Sequence, residues 1–176
     1  MNWNNYVSAN VRAIKPSGIR KFFDIANQIQ GVLSLSIGEP DFAAPDKVRQ
    51  AMIDSLNNKE TGYTGNSGLP ELREAISDYF DKHYGVKYDP AGEIIVTVGV
   101  SEGLAMALQA IVDHGDEVLI PDPAYVAYPA AVQLAGGIPV MVPTYPEHDF
   151  KLSVDDVFTV IKYSLHTSIV LSGALC

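Results

Sequence analysis

The order of apolar and polar positions predicts helices in the first half of the chain and alternating strands and helices in the second. Apolar residues recur at spacings of three and four after Pro45 and after Pro70, which is typical of amphipathic helices. From Glu93 onward, β-branched runs alternate with stretches of helical periodicity. The predicted strands are residues 93–98, 117–120, 139–142 and 167–171, and the predicted helices between them are residues 101–114, 125–134 and 153–163. This alternation indicates an α/β domain with a mostly parallel sheet.

Two further features precede this region. A helix capped by Ser17 is predicted over residues 18–30 and a strand over residues 32–37, with Gly31 between them. Residues 61–68 contain many turn-forming residues and include Tyr63. They are expected to form an ordered loop between the helices that begin at Pro45 and Pro70.

Composition and charge exclude several classes of protein. With 47% hydrophobic residues among 176, the chain is long and apolar enough to form a globular core. Its formal net charge of −9 disfavours binding to nucleic acid or to an anionic membrane surface. The single cysteine, Cys176, leaves no disulfide framework, and we expect a cytoplasmic protein. Prolines and glycines interrupt the most apolar stretch, residues 124–143, so no membrane-spanning helix is expected.

The junction after residues 93–98 is the first candidate for chemistry. Gly99 is followed by Val100, Ser101 and Glu102 at the predicted start of a helix. Backbone N–H groups and the helix dipole can hold a phosphate there, and the Ser101 hydroxyl can add a donor. The alternative is an ordinary turn in which Ser101 caps the helix.

Other nucleotide, metal and hydrolase sites are disfavoured. A dinucleotide fingerprint starting at Gly99 would need glycines where Ser101 and Leu104 stand, although Asp122 lies near the position of a ribose-binding acid. No Gly-Lys-Ser/Thr phosphate loop occurs, and no Ser-His-Asp set can be assigned. The four histidines lack metal-ligand spacing, so no metal site is expected.

Two more strand ends are candidates for ligand contact. Tyr125 follows the predicted strand at residues 117–120, and its ring is either a flat surface for an aromatic ligand or, with Tyr128, a plug over the sheet. Residues 36–42 place Gly38 just after another predicted strand. A glycine at that point lets a ligand approach the backbone, and a plain turn is the alternative.

Taken together, these motifs resemble the fold-type I, pyridoxal-phosphate-dependent aminotransferases of the aspartate and aromatic aminotransferase class. The resemblance extends over residues 11–171 and is carried by residues 36–42, 63–64, 68–76, 96–104, 115–121 and 125–129. It implies an αβα sandwich with a mostly parallel sheet, like the large domain of aspartate aminotransferase. In the family's terms, residues 1–44 would be an N-terminal arm, helix and strand of the small domain. Residues 45–176 would be part of the large, cofactor-binding domain.

The resemblance also implies roles for individual residues. Gly38 matches the glycine that meets the substrate's α-carboxylate, and the amides of Val100, Ser101 and Glu102 match the loop that holds the phosphate of pyridoxal 5'-phosphate. Tyr125 matches the aromatic that stacks on the cofactor ring. The match of Tyr63 is to a tyrosine that reaches the cofactor of the neighbouring subunit, which implies a homodimer. The implied reaction moves an amino group from an amino acid to a 2-oxo acid.

The chain departs from the family in its length and its lysines. Family members are roughly twice as long, and their Schiff-base lysine would follow the last residues here. None of the eight lysines lies in a matching motif, so we expect no catalytic residue in this chain and no activity of the chain alone. A truncated gene or a frameshift would account for this. The alternatives to an aminotransferase are a non-catalytic fragment and a related fold-type I lyase.

Overall fold

The computed structural model describes residues 6–14, 18, 25, 26, 28, 29, 31, 40, 42–161 and 168–170. The chain divides into two compact units, one of Gly18–Val98 and one of Met1–Ser17 with Gly99–Cys176. The strand predicted at residues 32–37 and most of the helix predicted at residues 18–30 lie outside the described residues. The domain boundary expected at residue 44 stays a prediction.

The unit Gly18–Val98 contains two helices that the sequence predicted. Helix α2 covers Asp46–Asn57 and follows Pro45, and helix α3 covers Pro70–Tyr84. Proline suits the first turn of α3 because its missing N–H would have no acceptor there. Gly85 ends α3 in the left-handed conformation, with a φ of 67°. Both predicted helices are confirmed.

Helix α3 holds the segment that follows it. Ser77 is only 2% exposed, and its hydroxyl donates to the carbonyl of Tyr88 at 2.5 Å. One turn earlier, the Arg73 guanidinium donates to the carbonyl of Pro90 at 2.6 Å. Further along, the Asp89 N–H donates to the Glu93 carboxylate at 2.7 Å. The bonds from Ser77 and Arg73 satisfy backbone carbonyls that would otherwise lie beside the helix without donors.

The other unit contains a parallel three-stranded sheet. Its elements are α1 Ala9–Ala13, α4 Gly99–Ile111, β1 Glu117–Asp122, α5 Ala127–Ala135, β2 Ile138–Pro143, a 3₁₀ helix Pro146–His148, α6 Val154–Ile161 and β3 Ser168–Val170. Strand β1 lies between β2 and β3 and is parallel to both. Val118 is paired with Pro139 in β2 and with Ile169 in β3. The predicted α/β architecture is confirmed.

The core of this unit lies between β1 and two helices. Val118 and Ile120 point to one face of the sheet and pack with Leu108 and Val112 of the α4 segment and with Val132 of α5. Leu119 is also fully buried and, because side chains alternate along a strand, points to the opposite face. Helix α6 contacts β2. The sheet therefore buries residues on both faces, as the β-branched and leucine-rich sequence of β1 requires.

The strand predicted at residues 93–98 is wrong, since this segment is not part of the described sheet. The Val96 N–H donates to the carbonyl of Ser67 at 3.1 Å, and the Glu93 N–H donates to the carbonyl of Asp89 at 2.9 Å. A strand needs a neighbouring strand that pairs along its length. Ser67 belongs to a loop and not to a strand. The β-branched residues here therefore favour a strand conformation, but no neighbouring strand among the described residues pairs with them.

No helix in the described ranges is long and apolar enough to cross a membrane. The same ranges contain no cluster of three or more histidine, cysteine, aspartate and glutamate side chains that could hold a metal ion.

Candidate functional site

The first turn of α4 is exposed. Gly99 begins the helix with a φ of +77°, a conformation that side chains rarely adopt, although a Cβ there would meet nothing within 4 Å. Val100 is 84% exposed, and Ser101 and Glu102 are exposed as well. A helix offers no internal acceptors to its first N–H groups, and its dipole is positive at this end. This turn can therefore hold an anion.

The position of Ser101 changes the interpretation of this turn. The sequence left open whether Ser101 caps the helix, and a capping residue stands before the first helical residue. Because α4 begins at Gly99, Ser101 is its third residue. Its hydroxyl is exposed on the first turn and is not placed as an N-cap.

Tyr125 and Tyr128 differ in their surroundings. Tyr128, in the first turn of α5, is half-buried and packs against the core cluster, whereas Tyr125 is 55% exposed. Their ring centroids lie 5.6 Å apart with an interplanar angle of 80°, and the Tyr128 N–H donates to the Tyr125 carbonyl at 3.0 Å. Tyr128 therefore fits the role of a plug. The Tyr125 ring keeps an exposed surface for an aromatic ligand.

A shared core connects the first turn of α4 with Tyr125. Leu104, three residues after Ser101, packs against the core cluster of Leu108, Val112, Val118, Ile120 and Val132. Ala124, directly before Tyr125, packs against the same cluster. Both candidate elements are thus anchored on one set of buried side chains. The sequence placed them in adjacent motifs but could not show this common anchor.

Thr144 is bonded to the strand end that precedes Tyr125, and the sequence alone did not identify it as a candidate. It follows β2 directly and is 8% exposed. Its N–H donates to the Asp122 carbonyl at 2.8 Å, and its hydroxyl donates to the same carbonyl at 2.9 Å. Asp122 ends β1, three residues before Tyr125. The available signal was a polar residue directly after an apolar strand, which by itself does not identify its partner.

Tyr63 belongs to the other unit and is fully exposed. Its loop is anchored at the carboxyl end, because the Ser67 carbonyl accepts the Val96 N–H. Gly68 has a φ of +92°, and a Cβ built on it would lie 2.7 Å from the Val96 Cβ. Within the loop, the Gly68 N–H donates to the Gly65 carbonyl at 2.9 Å. The loop predicted at residues 61–68 is present between α2 and α3, whereas Gly38 lies outside the described residues.

The sequence of residues 30–172 matches the family described as Aminotransferase class I and II. The chain belongs to this family. Among curated relatives, the putative aminotransferase YugH of Bacillus subtilis is 52% identical over 152 residues, and the aromatic-amino-acid aminotransferase 2 of Thermococcus litoralis is 45% identical over 151. Each match covers 86% of this chain and 39% of the relative. The chain thus spans about two fifths of the length of these aminotransferases.

Solved structures agree with the family membership. The aspartate aminotransferase of Thermus thermophilus with maleate is 37% identical, with a TM-score of 0.84 over 94% of this chain and 44% of that one. The aspartate aminotransferase of Rhizobium meliloti is 32% identical, with a TM-score of 0.86 over 96% of this chain and 42% of that one. The chain therefore has the α/β fold of an aspartate aminotransferase over the part that it covers.

Proposed function

We propose that this aminotransferase-family chain supplies the phosphate-holding and ring-holding parts of a pyridoxal 5'-phosphate site. The reaction proposed for the longer enzyme is transfer of an amino group from an amino acid to a 2-oxo acid. The observation that carries the proposal is the exposed first turn of α4, anchored on the same core as Tyr125. The names of the relatives favour amino transfer over the lyase alternative.

The residues of the first turn fit a phosphate group. Backbone N–H groups of Val100, Ser101 and Glu102 would bind its oxygens, and the Ser101 hydroxyl would donate one further hydrogen bond. The positive end of the helix dipole favours a doubly charged anion in a protein whose net charge is −9. The site thus depends on local backbone dipoles, and a basic surface is not needed.

Tyr125 would hold the pyridine ring through its exposed face, since aromatic rings stack favourably at offset or tilted geometries. When bound, pyridoxal phosphate withdraws electrons from the substrate's α-carbon and carries the amino group between the two substrates. The exposed Tyr63 would reach the cofactor phosphate of a second subunit, so a homodimer is part of the proposal. Gly38 remains the proposed contact for the substrate carboxylate.

The lysines of these 176 residues bear on whether the chain can catalyse amino transfer by itself. The resemblance places the lysine that carries the cofactor in a motif that none of the eight lysines shares. We therefore assign no catalytic residue to this chain and propose that it does not transfer amino groups alone. The single cysteine suits a reducing compartment, which supports a cytoplasmic location.

The Ser101→Ala variant tests the phosphate contact. The variant removes one hydroxyl donor to a charged group and leaves the backbone amides in place, at a cost of about 1.5–3 kcal/mol. The dissociation constant of pyridoxine 5'-phosphate should rise by roughly tenfold to a hundredfold at that energy. This ligand has the ring and the phosphate but no aldehyde, so it cannot react with surface lysines. Isothermal titration calorimetry or equilibrium dialysis of the 176-residue chain gives the constant.

Two controls make the result specific. Ser55→Ala on α2 is also a serine-to-alanine change within a helix, and it should leave the affinity unchanged. Phosphate-free pyridoxine should bind the Ser101→Ala variant and the parent chain equally weakly. An unchanged dissociation constant for pyridoxine 5'-phosphate in Ser101→Ala would show that the phosphate does not use this hydroxyl.

A further inference from the structure

The last residue of β1, directly before the turn to α5, is bonded to the residue that follows β2. The carbonyl of Asp122 accepts two hydrogen bonds from a single residue, one from the Thr144 N–H at 2.8 Å and one from the Thr144 hydroxyl at 2.9 Å. Asp122 and Pro143 are ladder partners at the ends of their strands. The N–H bond continues the parallel ladder of β1 and β2, and the hydroxyl bond is additional to it.

The hydroxyl of Thr144 is unusual in its burial. Thr144 and Ser77 are the buried polar residues among the described parts of the chain. Burying a hydroxyl without a partner is unfavourable, so the bond to Asp122 offsets the cost of placing Thr144 there. An apolar residue of the same shape, such as valine, would fill the space without donating that bond.

Asp122, whose carbonyl accepts both hydrogen bonds from Thr144, lies three residues before Tyr125. Between them, Ala124 packs on the core, and after them the Tyr128 N–H donates to the Tyr125 carbonyl. The backbone is thus bonded on both sides of Tyr125, upstream at Asp122 by Thr144 and downstream by the first turn of α5. The Tyr125 ring itself is more than half exposed and makes its described ring contact with Tyr128.

We propose that Thr144 is a positioning residue that fixes the Tyr125 ring for stacking on an aromatic ligand. It acts through the Asp122 carbonyl and touches no ligand itself. This inference rests on the proposed function, because it assigns Tyr125 the role of holding the cofactor ring. It predicts that Thr144 affects binding of the ring and leaves binding of the phosphate unaffected.

The test compares two ligands on the 176-residue chain, pyridoxine 5'-phosphate and inorganic phosphate. Thr144→Val removes one neutral hydrogen bond and should weaken pyridoxine 5'-phosphate by about three- to tenfold. Inorganic phosphate should bind with unchanged affinity. Thr144→Ser keeps the hydroxyl and should stay within about twofold of the parent chain for both ligands. The matched control is Thr159→Val, which removes a threonine hydroxyl that donates to the Asp155 carbonyl at 2.8 Å on α6.

A double-mutant cycle with Tyr125→Leu shows whether Thr144 acts through Tyr125. In the Tyr125→Leu background, Thr144→Val should cause no additional loss of pyridoxine 5'-phosphate affinity. The inference is overturned if Thr144→Val weakens both ligands equally, if it weakens neither, or if its effect persists in full without Tyr125. A uniform loss for both ligands would indicate a general structural role.

A second measurement keeps the inference testable if the parent chain binds neither ligand, which would count against the proposed function. The chain labelled with 3-fluorotyrosine gives a ¹⁹F resonance for position 125, assigned by its loss in Tyr125→Phe. Thr144→Val should shift or broaden this resonance in the absence of any ligand, and Thr144→Ser and Thr159→Val should not. An unchanged resonance in Thr144→Val would contradict the positioning role whatever the ligands do.

Discussion

Two glycines show how the same backbone conformation arises for different reasons. Gly68 and Gly99 both have positive φ angles, +92° and +77°. Around Gly99 a Cβ would meet open space, so only the backbone conformation requires glycine there. At Gly68 the conformation and the space both require it, because the Val96 side chain occupies the position of a Cβ. Gly68 is therefore the less replaceable of the two.

Gly68→Ala should destabilise the chain by about 2–4 kcal/mol, since a left-handed alanine and an overpacked contact each cost on the order of 1–3 kcal/mol. Urea denaturation followed by circular dichroism measures this free energy of unfolding. Gly62→Ala and Gly65→Ala lie in the same loop without positive φ, and their Cβ atoms would meet at most one atom, at 3.9 Å. They should change the stability by only a few tenths of a kcal/mol. Equal denaturation midpoints for all three variants would contradict this account.

Sequence reasoning identified the candidate residues but not what fixes them. Turn chemistry is local, so the loop containing Tyr63 and, within two residues, the start of the helix at Gly99 could be predicted from neighbouring residues. The contact of Gly68 with Val96 and the bonds of Thr144 to Asp122 join residues that are distant along the chain. No local pattern contains such pairings.

At the scale of elements, a strand was predicted correctly where the segment pairs with neighbouring strands. Strand β1 pairs on both sides and was predicted within two residues, whereas residues 93–98 have a more β-branched sequence and lie outside the described sheet. Propensity describes how well a segment suits a pleated surface, and only a neighbour makes it a strand. The residues just before this segment are instead bonded to helix α3, through hydrogen bonds from Arg73 and Ser77 to their carbonyls.

Ser77→Ala should therefore cost about 0.5–1.5 kcal/mol of stability and release the segment that α3 holds. The Tyr88 carbonyl loses its donor, so amides of residues 88–93 should exchange with deuterium faster in the variant. Hydrogen–deuterium exchange with mass spectrometry detects this change peptide by peptide. Ser55→Ala, on α2, should leave exchange in that segment unchanged. If both variants exchange alike, the bond from Ser77 does not hold the segment.

At the scale of the whole molecule, the chain belongs to the class I and II aminotransferases and spans about two fifths of the relatives' length. The central feature of our account is the cofactor-holding surface that we propose for the first turn of α4 and Tyr125. A different location for a ligand also exists, a cavity of about 220 Å³ lined by residues that include Asn10, His114 and Gln133. The two locations lie on separate peptides of the chain, so one experiment can distinguish them.

Hydrogen–deuterium exchange of the 176-residue chain with and without pyridoxine 5'-phosphate is the most direct test of this account. A phosphate that accepts hydrogen bonds from the first-turn amides of α4 would protect them from exchange. We predict slower exchange in peptides covering residues 99–104 and 122–128, and no change in peptides containing His114 or Gln133. Slower exchange around the cavity of Asn10, His114 and Gln133, or no change in any peptide at saturating ligand, would contradict the account.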